Sequence, residues 1–494
     1  MLRGLAIFFV LVTLLAVGVE LYLRSRARSH WRQMERAAEH ELLGGGLQGL
    51  LRARGMAAGG AAVAEDDEAA ATLALSSAML ASEYGMDEAN TALAVLDGLE
   101  AAAHPTARAQ SLKLASRALV DAMAGQPVRA EALARQSVSA GHRQASPLFA
   151  LGRVWLRQGN LAAADHAFQA AVVREPGFME ARVAWAEVWL EQGEREKARA
   201  ELRTVLGRTP DHGRASLLLA ELEPATANGH GVDFEATCAR DEAMSPFVAG
   251  ACDLLRAEAA WRGHDRQAAI TFAESAGRRR PAEPRSLGRA AQLLASLGAV
   301  DAASACLDEA VRITNPSLPA LRWAKIAVDL GRGQLANPPM TLPATSSPWA
   351  PALLARIALA SGGVKALAAA LPRLRDGSAE VAALGRLVEA EGGAAPAPAS
   401  ADLDPVQAYV QGMQARLAGK LSRAATLLPR ALSGHGDACR AAGEYLAVCR
   451  ELGRIPDAAS FAALAGENAR CVNLPAAFAA AAEKPRRLTR LRPR

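Results

Sequence analysis

Aromatic residues are scarce in this 494-residue chain, at 4%. A thick globular interior of the kind aromatics fill is therefore not its design. Alternating runs of β-branched residues are rare after the first 25 positions, which argues against sheet. The six cysteines, Cys238, Cys252, Cys306, Cys439, Cys449 and Cys471, contain no C-x-x-C pair. A zinc centre or a disulfide framework asks for tighter pairing, so buried structural thiols are the expectation. Charge of one sign is not in large excess: the net value is +5. Much of it lies in Arg24–Arg36 and Lys484–Arg494, so there is no basic face along the whole chain. Catalytic signatures are missing as well. The chain has no G-x-S-x-G, no H-E-x-x-H and no G-x-x-x-x-G-K-[ST], and its nine histidines are scattered. His166, near Phe168, reads as a surface or packed side chain. No catalytic residue, cofactor or metal site is expected, and the chain is read as a non-enzyme.

What is present is Ala, Leu and Arg, all strong helix formers. Only one long apolar run occurs: Gly4 to Leu23, GLAIFFVLVTLLAVGVELYL, with Glu20 as its one charge. At about 1.5 Å per residue it would span about 30 Å, the thickness of a bilayer core. Tyr22 and Trp31 follow, where amphipathic aromatics favour an interface. Ala16 and Gly18 would suit a signal-peptide cleavage site, but Arg24, Arg26, Arg28 and Arg32 follow at once and resist translocation. A retained anchor is expected over residues 4–23. With Arg36 added, the arginines place the bulk of the chain on the cytoplasmic side of the inner membrane. An exported, periplasmic body is the alternative.

Beyond the basic flank (1–36), residues 37–75 read as a juxtamembrane linker. Gly44–Gly49, GGGLQG, is formally G-x-G-x-x-G. It lacks the preceding strand that a dinucleotide site requires, and reads as a flexible joint.

The stretch from Leu148 to Pro176, LFALGRVWLRQGNLAAADHAFQAAVVREP, decides the architecture. Gly159 and Gly193 are 34 apart, and so are Ala164 and Ala198, Trp155 and Trp189, and Pro176 and Pro210. Gly125 and Ala130 stand one further period upstream. A first helix carries Leu148, Leu151 and Trp155. Gly152 or Ala186 lets the second helix approach. Gly159 or Gly193 turns the chain, and proline stops the second helix. One hairpin cannot bury its apolar face alone, whereas a stack of them can.

This pattern resembles the tetratricopeptide repeat (TPR), carried here by Leu148, Leu151, Gly152, Trp155, Gly159, Ala164, Phe168, Ala171 and Pro176. A looser copy has Trp185, Ala186, Trp189, Gly193, Ala198, Leu202 and Pro210. Weaker copies centre on Gly263 and Ala268, Gly298 and Ala303, Gly419 and Ala424, and Gly453 and Ala458. Residues 76–110 hold a degenerate hairpin. The phase breaks at Glu223–Val232 and again at Gly331–Pro351, which is too rich in Pro and Ser for helix. Gly392–Asp404 reads as a linker.

The predicted fold is therefore all-α: a TPR-type solenoid of helical hairpins with one N-terminal transmembrane helix. Its expected domains are the solenoid at 76–335, an irregular Pro-rich insertion with helices at 336–404, further repeats at 405–475 and a basic tail at 476–494. The resemblance implies a scaffold that takes a peptide or helix of another protein in a groove lined by first helices. It implies Arg153, Arg182 and Glu187 as groove residues, and Trp155, Phe168, Trp185 and Trp189 as core. TPR adaptors that grip a terminal carboxylate use Lys and Asn where this chain has Phe149 and Arg153, then Val183 and Glu187, so that ligand is not implied. The overall plan is similar to membrane-tethered TPR proteins of the bacterial envelope. The tail, EKPRRLTRLRPR, reads first as a solvated, disordered terminus and second as a contact for anionic lipid headgroups. It has no interleaved aromatics, so specific nucleic-acid binding is not expected.

Overall fold

The computed structural model describes residues 2–454 except 65, 101–105, 142, 224–231, 263–264, 298, 332–349, 372–373, 375–383, 386–387, 389–404 and 433–437. The basic tail, the Gly392–Asp404 linker and the repeat position Ala458 lie outside the described residues, as do the turn positions Gly263 and Gly298. The described elements are helical. They divide into two compact units, 1–252 with two short later segments, and 253–494 without them.

The first unit opens with α1 (Leu2–Gly44) and α2 (Gly46–Ala64). Then come paired helices: α3 (Asp67–Tyr84) with α4 (Ala89–Glu100), and α5 (Ala107–Met123) with α6 (Pro127–Ala140). They continue as α7 (Ser146–Arg157) with α8 (Leu161–Arg174), and α9 (Met179–Glu191) with α10 (Arg195–Arg208). The series ends in α11 (Gly213–Leu222) and the short α12 (Glu235–Asp241). Helix α13 (Pro246–Arg262) begins in this unit and continues in the second.

Local chemistry repeats with the period. Gly159 and Gly193 sit at φ +75° and +80°, where a side chain would be strained. Beyond each glycine, a backbone N–H closes the helix end: Asn160 donates to Trp155 O at 2.9 Å and Glu194 to Trp189 O at 2.8 Å. The residues before the two stop prolines, Glu175 and Thr209, are pushed to φ −137° and −130°, as a following proline demands. Pro176 and Pro210 are themselves exposed and act as stops.

The core follows the small-residue plan. Ala164, Phe168 and Ala198 are fully buried, and Leu148, Leu151 and Gly152 are buried. A Cβ on Gly152 would lie 2.7 Å from the Phe168 ring, which is why this position is glycine. Phe149 joins an aromatic cluster, its ring centroid 6.0 Å from that of Phe168 and 5.2 Å from that of Phe178. The tryptophans expected as core, Trp155, Trp185 and Trp189, are only half-buried. Trp155 lies under the Arg135 guanidinium, and Trp185 stacks on Trp189 and donates to Asp165.

Three expectations are not met in this unit. The expected linker at 37–75 instead holds the end of α1, all of α2 and the start of α3. It is packed through Ala38, Leu42, Leu47, Leu50, Ala53, Ala57, Ala69 and Leu75. The cysteines are not all thiols: Cys238 on α12 and Cys252 on α13 form a buried disulfide with Cα atoms 5.9 Å apart. Cys306 and Cys449 are buried thiols. The transmembrane expectation is not met: among the described residues no helix is long and apolar enough to cross a membrane. That span begins at residues 4–11, whose side chains lie outside those described. What is described is a continuous helix on which Val12, Leu14, Leu15, Val17, Val19, Leu21, Tyr22 and Leu23 are exposed.

The second unit continues with α14 (Arg266–Arg278), α15 (Pro284–Ser296), α16 (Val300–Ile313) and α17 (Pro319–Gly331). Gly288 permits α15 to touch Leu321 of α17. Helix α18 (Ala350–Ala370) lies in the 336–404 region, expected as a Pro-rich insertion with helices. Its Ala355 and Leu367 share one core with α19 (Pro405–Leu417), α20 (Leu421–Leu427) and α21 (Ala438–Leu452), through Tyr409, Ala424, Tyr445 and Leu446.

Candidate functional site

The first-helix face of the first unit is where a solenoid of this type would take a ligand. Its centre is filled by the chain's own charged residues. Arg153 on α7 and Glu187 on α9 are 34 apart, the same position in consecutive repeats, and their side chains meet at 2.6 Å. Glu180 on α9 and Arg214 on α11 are likewise 34 apart and meet at 3.0 Å. Into this pair of pairs comes Glu83, from the last turn of α3. Its Oε2 accepts from Arg153 at 2.8 Å and from Arg214 at 2.5 Å. Arg214 also pairs with Glu187. Tyr84 donates its hydroxyl to Glu180 at 2.6 Å, and its ring lies beneath the Arg214 guanidinium.

A backbone turn closes the cluster from another side. Gly45 and Gly46, between α1 and α2, have φ +66° and +73°. The Gly46 N–H donates to Glu180 Oε1 at 2.9 Å. A Cβ on Gly45 would approach the Glu180 backbone nitrogen to 3.1 Å and His212 Nε2 to 3.3 Å. The glycine run is a packed turn seated on α9 and α11, not a flexible joint. His212, completely buried, caps α11: its Nδ1 accepts from the Ala215 N–H at 3.4 Å, and its Nε2 lies 3.5 Å from Glu180 Oε1.

The electrostatics follow from that packing. Burial opposes the ionisation of Glu180, but His212, Arg214 and the hydrogen bonds from Tyr84 and Gly46 outweigh it and hold its carboxyl below the usual range. Burial alone would weaken Arg153 and Arg214 as cations; their carboxylate neighbours more than restore them. Tyr84 is pushed well up by burial and by Glu180. His212 is pushed down by burial, with Glu180 opposing. Three carboxylates and two guanidiniums leave the cluster with one negative charge in excess.

Of the three expected groove residues, Arg153 and Glu187 are therefore buried in this cluster and not offered to a partner. The physical reason is that each finds its counter-charge one repeat away and a third group on α3. Arg182 lies apart from them: it pairs with Glu201 and donates to the Pro176 carbonyl at 2.9 Å. Glu83, Tyr84, Glu180, His212 and Arg214 were missed. The signal that would have found part of the set was in the sequence: positions 153 and 187, and 180 and 214, carry opposite charges at the repeat spacing.

Cys238, Cys252 and Glu242 place ligand atoms within 4.8 Å of one another. With the two sulfurs bonded to each other, they are not metal ligands.

Residues 155–222 match a tetratricopeptide repeat family model. The matched span runs from the end of α7 through α11, where the hairpin geometry above is most regular. No curated protein sequence matches. Solved structures give 34 similar chains. One, titled "Structure of Naa15/Naa10 bound to HypK-THB", is 13% identical and aligns over 89% of this chain and 68% of its own, with a TM-score of 0.22. A likeness at that score adds nothing to the repeat geometry.

Proposed function

We propose that this chain is a membrane-anchored TPR-type scaffold that binds other proteins in the assembly of a bacterial envelope or membrane complex, without catalysing a reaction. The observation that carries the scaffold reading is the run of in-phase hairpins, of which residues 155–222 match the repeat model. Stacked hairpins present long ordered faces, and their usual work is holding protein segments. The anchor is supported by the exposed apolar side chains from Val12 to Leu23 on α1, which water alone would not favour.

Because Arg153 and Glu187 are taken up internally, a partner meets the first unit on another face. The test uses photoreactive residues at Val128 on α6 and Val173 on α8, which are 82% and 75% exposed. Crosslinking in intact cells, followed by mass spectrometry, should return one recurrent partner protein. Self-crosslinks alone would replace the adaptor with a homo-oligomeric scaffold.

A second reading concerns the compartment. The arginines after residue 23 favour the cytoplasmic side for the solenoid. The Cys238–Cys252 disulfide favours the exported alternative, since such bonds persist in oxidising compartments and are rare in the cytosol. Labelling thiols with a membrane-impermeant maleimide before and after reduction separates the two readings.

A further inference from the structure

We propose that His212 is a pH-sensitive latch that keeps the α1–α2 turn seated on the first-helix face of α9 and α11, and that acidification releases the turn. The proposal holds whatever the solenoid binds.

Geometry fixes the tautomer. Nδ1 of His212 accepts from the Ala215 N–H, so the single proton of the neutral ring sits on Nε2, facing Glu180 at 3.5 Å. A second proton would have to go on Nδ1. There it would point at a backbone donor, at the positive end of α11, and the cap would be lost.

The groups around the ring decide whether that proton is tolerated. Glu180 on α9 attracts it. Arg214 on α11 repels it, and Asp211 beside it attracts. Glu83 and Tyr84 on α3 are spent on Arg214 and Glu180. Arg240 on α12 engages Asp211 O and Asp241. On the α1–α2 side, the charged neighbours Glu41 and Arg52 pair with each other. Glu180 is itself already shared among Tyr84, Gly46 and Arg214. The ring is completely buried, so nothing from water compensates a new charge.

Loss of the cap loosens the first turn of α11, which carries Arg214, the residue touching all three carboxylates. The same ring lies against the turn: a Cβ on Gly46 would lie 3.8 Å from His212 Cδ2 and Cγ. One titration therefore weakens both the ion cluster and the seat of the glycines. The sign is clear. A histidine held below its ordinary value of 6.5 takes up its proton more readily unfolded. Its contribution is full above that value and is lost as pH falls from there through the lower folded value. Glu180 acts in a separate, lower window, below the ordinary carboxylate value of 4.5.

The test is hydrogen–deuterium exchange of the full chain at about pH 7.5 and about pH 5, corrected for the intrinsic pH dependence of exchange. Wild-type amides in residues 44–50 and 213–218 should exchange about tenfold faster at the lower pH. His212→Asn keeps a good cap and removes the titration, so its exchange should not change across this window. No acceleration in wild type, or the same acceleration in His212→Asn, overturns the latch. Should that variant not fold, the wild-type profile decides. Onset in the histidine range supports the proposal, and onset only in the carboxylate range assigns the effect to Glu180 and its neighbours and overturns it.

Discussion

Arg153 and Glu187 stand at one repeat position and carry opposite signs, and that opposition holds the centre of the first unit. Breaking a buried pair from one side leaves a charge with no water to solvate it. Arg153→Ala strips Glu83 and Glu187 of one guanidinium each and should cost about 3–5 kcal/mol in chemical denaturation. A loss below about 1 kcal/mol would mean that these side chains are solvated like surface pairs. The aromatics offer a contrast at the same scale. Phe168 is fully buried between Phe149 and Gly152, so Phe168→Ala should cost about 3–5 kcal/mol. Trp155 is half-buried with its face against Arg135, so truncating it should cost clearly less. Equal losses would show that tryptophan burial across the hairpins, and not the Phe cluster, sets the core.

Elements were legible where their signals are local. Gly159, Ala164, Phe168 and Pro176 mark turn, close approach, core and stop within one hairpin, and the 34-residue period extends them to the next. Helix α2 was not legible, because GGGLQG reads locally as a joint. Its meaning as a packed turn depends on Glu180, 134 residues away from Gly46. The ion cluster was half legible: the opposite charges at 153 and 187 share a period, while Glu83 and Tyr84 enter from outside it. The disulfide was hidden for the same reason, since Cys238 and Cys252 lie 14 apart with no short motif around them. That bond ties α12 to α13 just after the repeat phase breaks. Closing a loop of that length is worth about 3 kcal/mol on the chain-entropy account. The Cys238→Ser, Cys252→Ser double variant should therefore melt several degrees lower than oxidised wild type, and reductant should lower wild type to match. A melting temperature insensitive to reductant would show that the pair is not bonded in the purified protein.

At the scale of the whole molecule, one helix joins two environments. Helix α1 ends in a turn buried against α9 and α11, while the side chains from Val12 to Leu23 stand in the open. Apolar surface left exposed at one end of a helix that is firmly seated at the other is the arrangement expected of a tether. If that is its work, the anchor and the solenoid are separable by mutation. Leu14→Ser, Leu15→Ser and Leu21→Ser together touch no packed residue of the hairpins, so helicity and the denaturation midpoint should be unchanged. Wild type should sediment with membranes and resist alkaline carbonate extraction; the triple variant should move to the soluble fraction. Wild type found soluble would remove the tether. A triple variant that stays on the membrane would assign attachment to residues outside this run. If α1 is a tether, the proposed latch at His212 would have a further consequence, because it sits where α1 meets the repeats. Acid that unseats the turn would leave α1 attached and the solenoid free to swing, so the spread of distances between positions 15 and 173, read by paired spin labels, should broaden at low pH in wild type and stay narrow in His212→Asn.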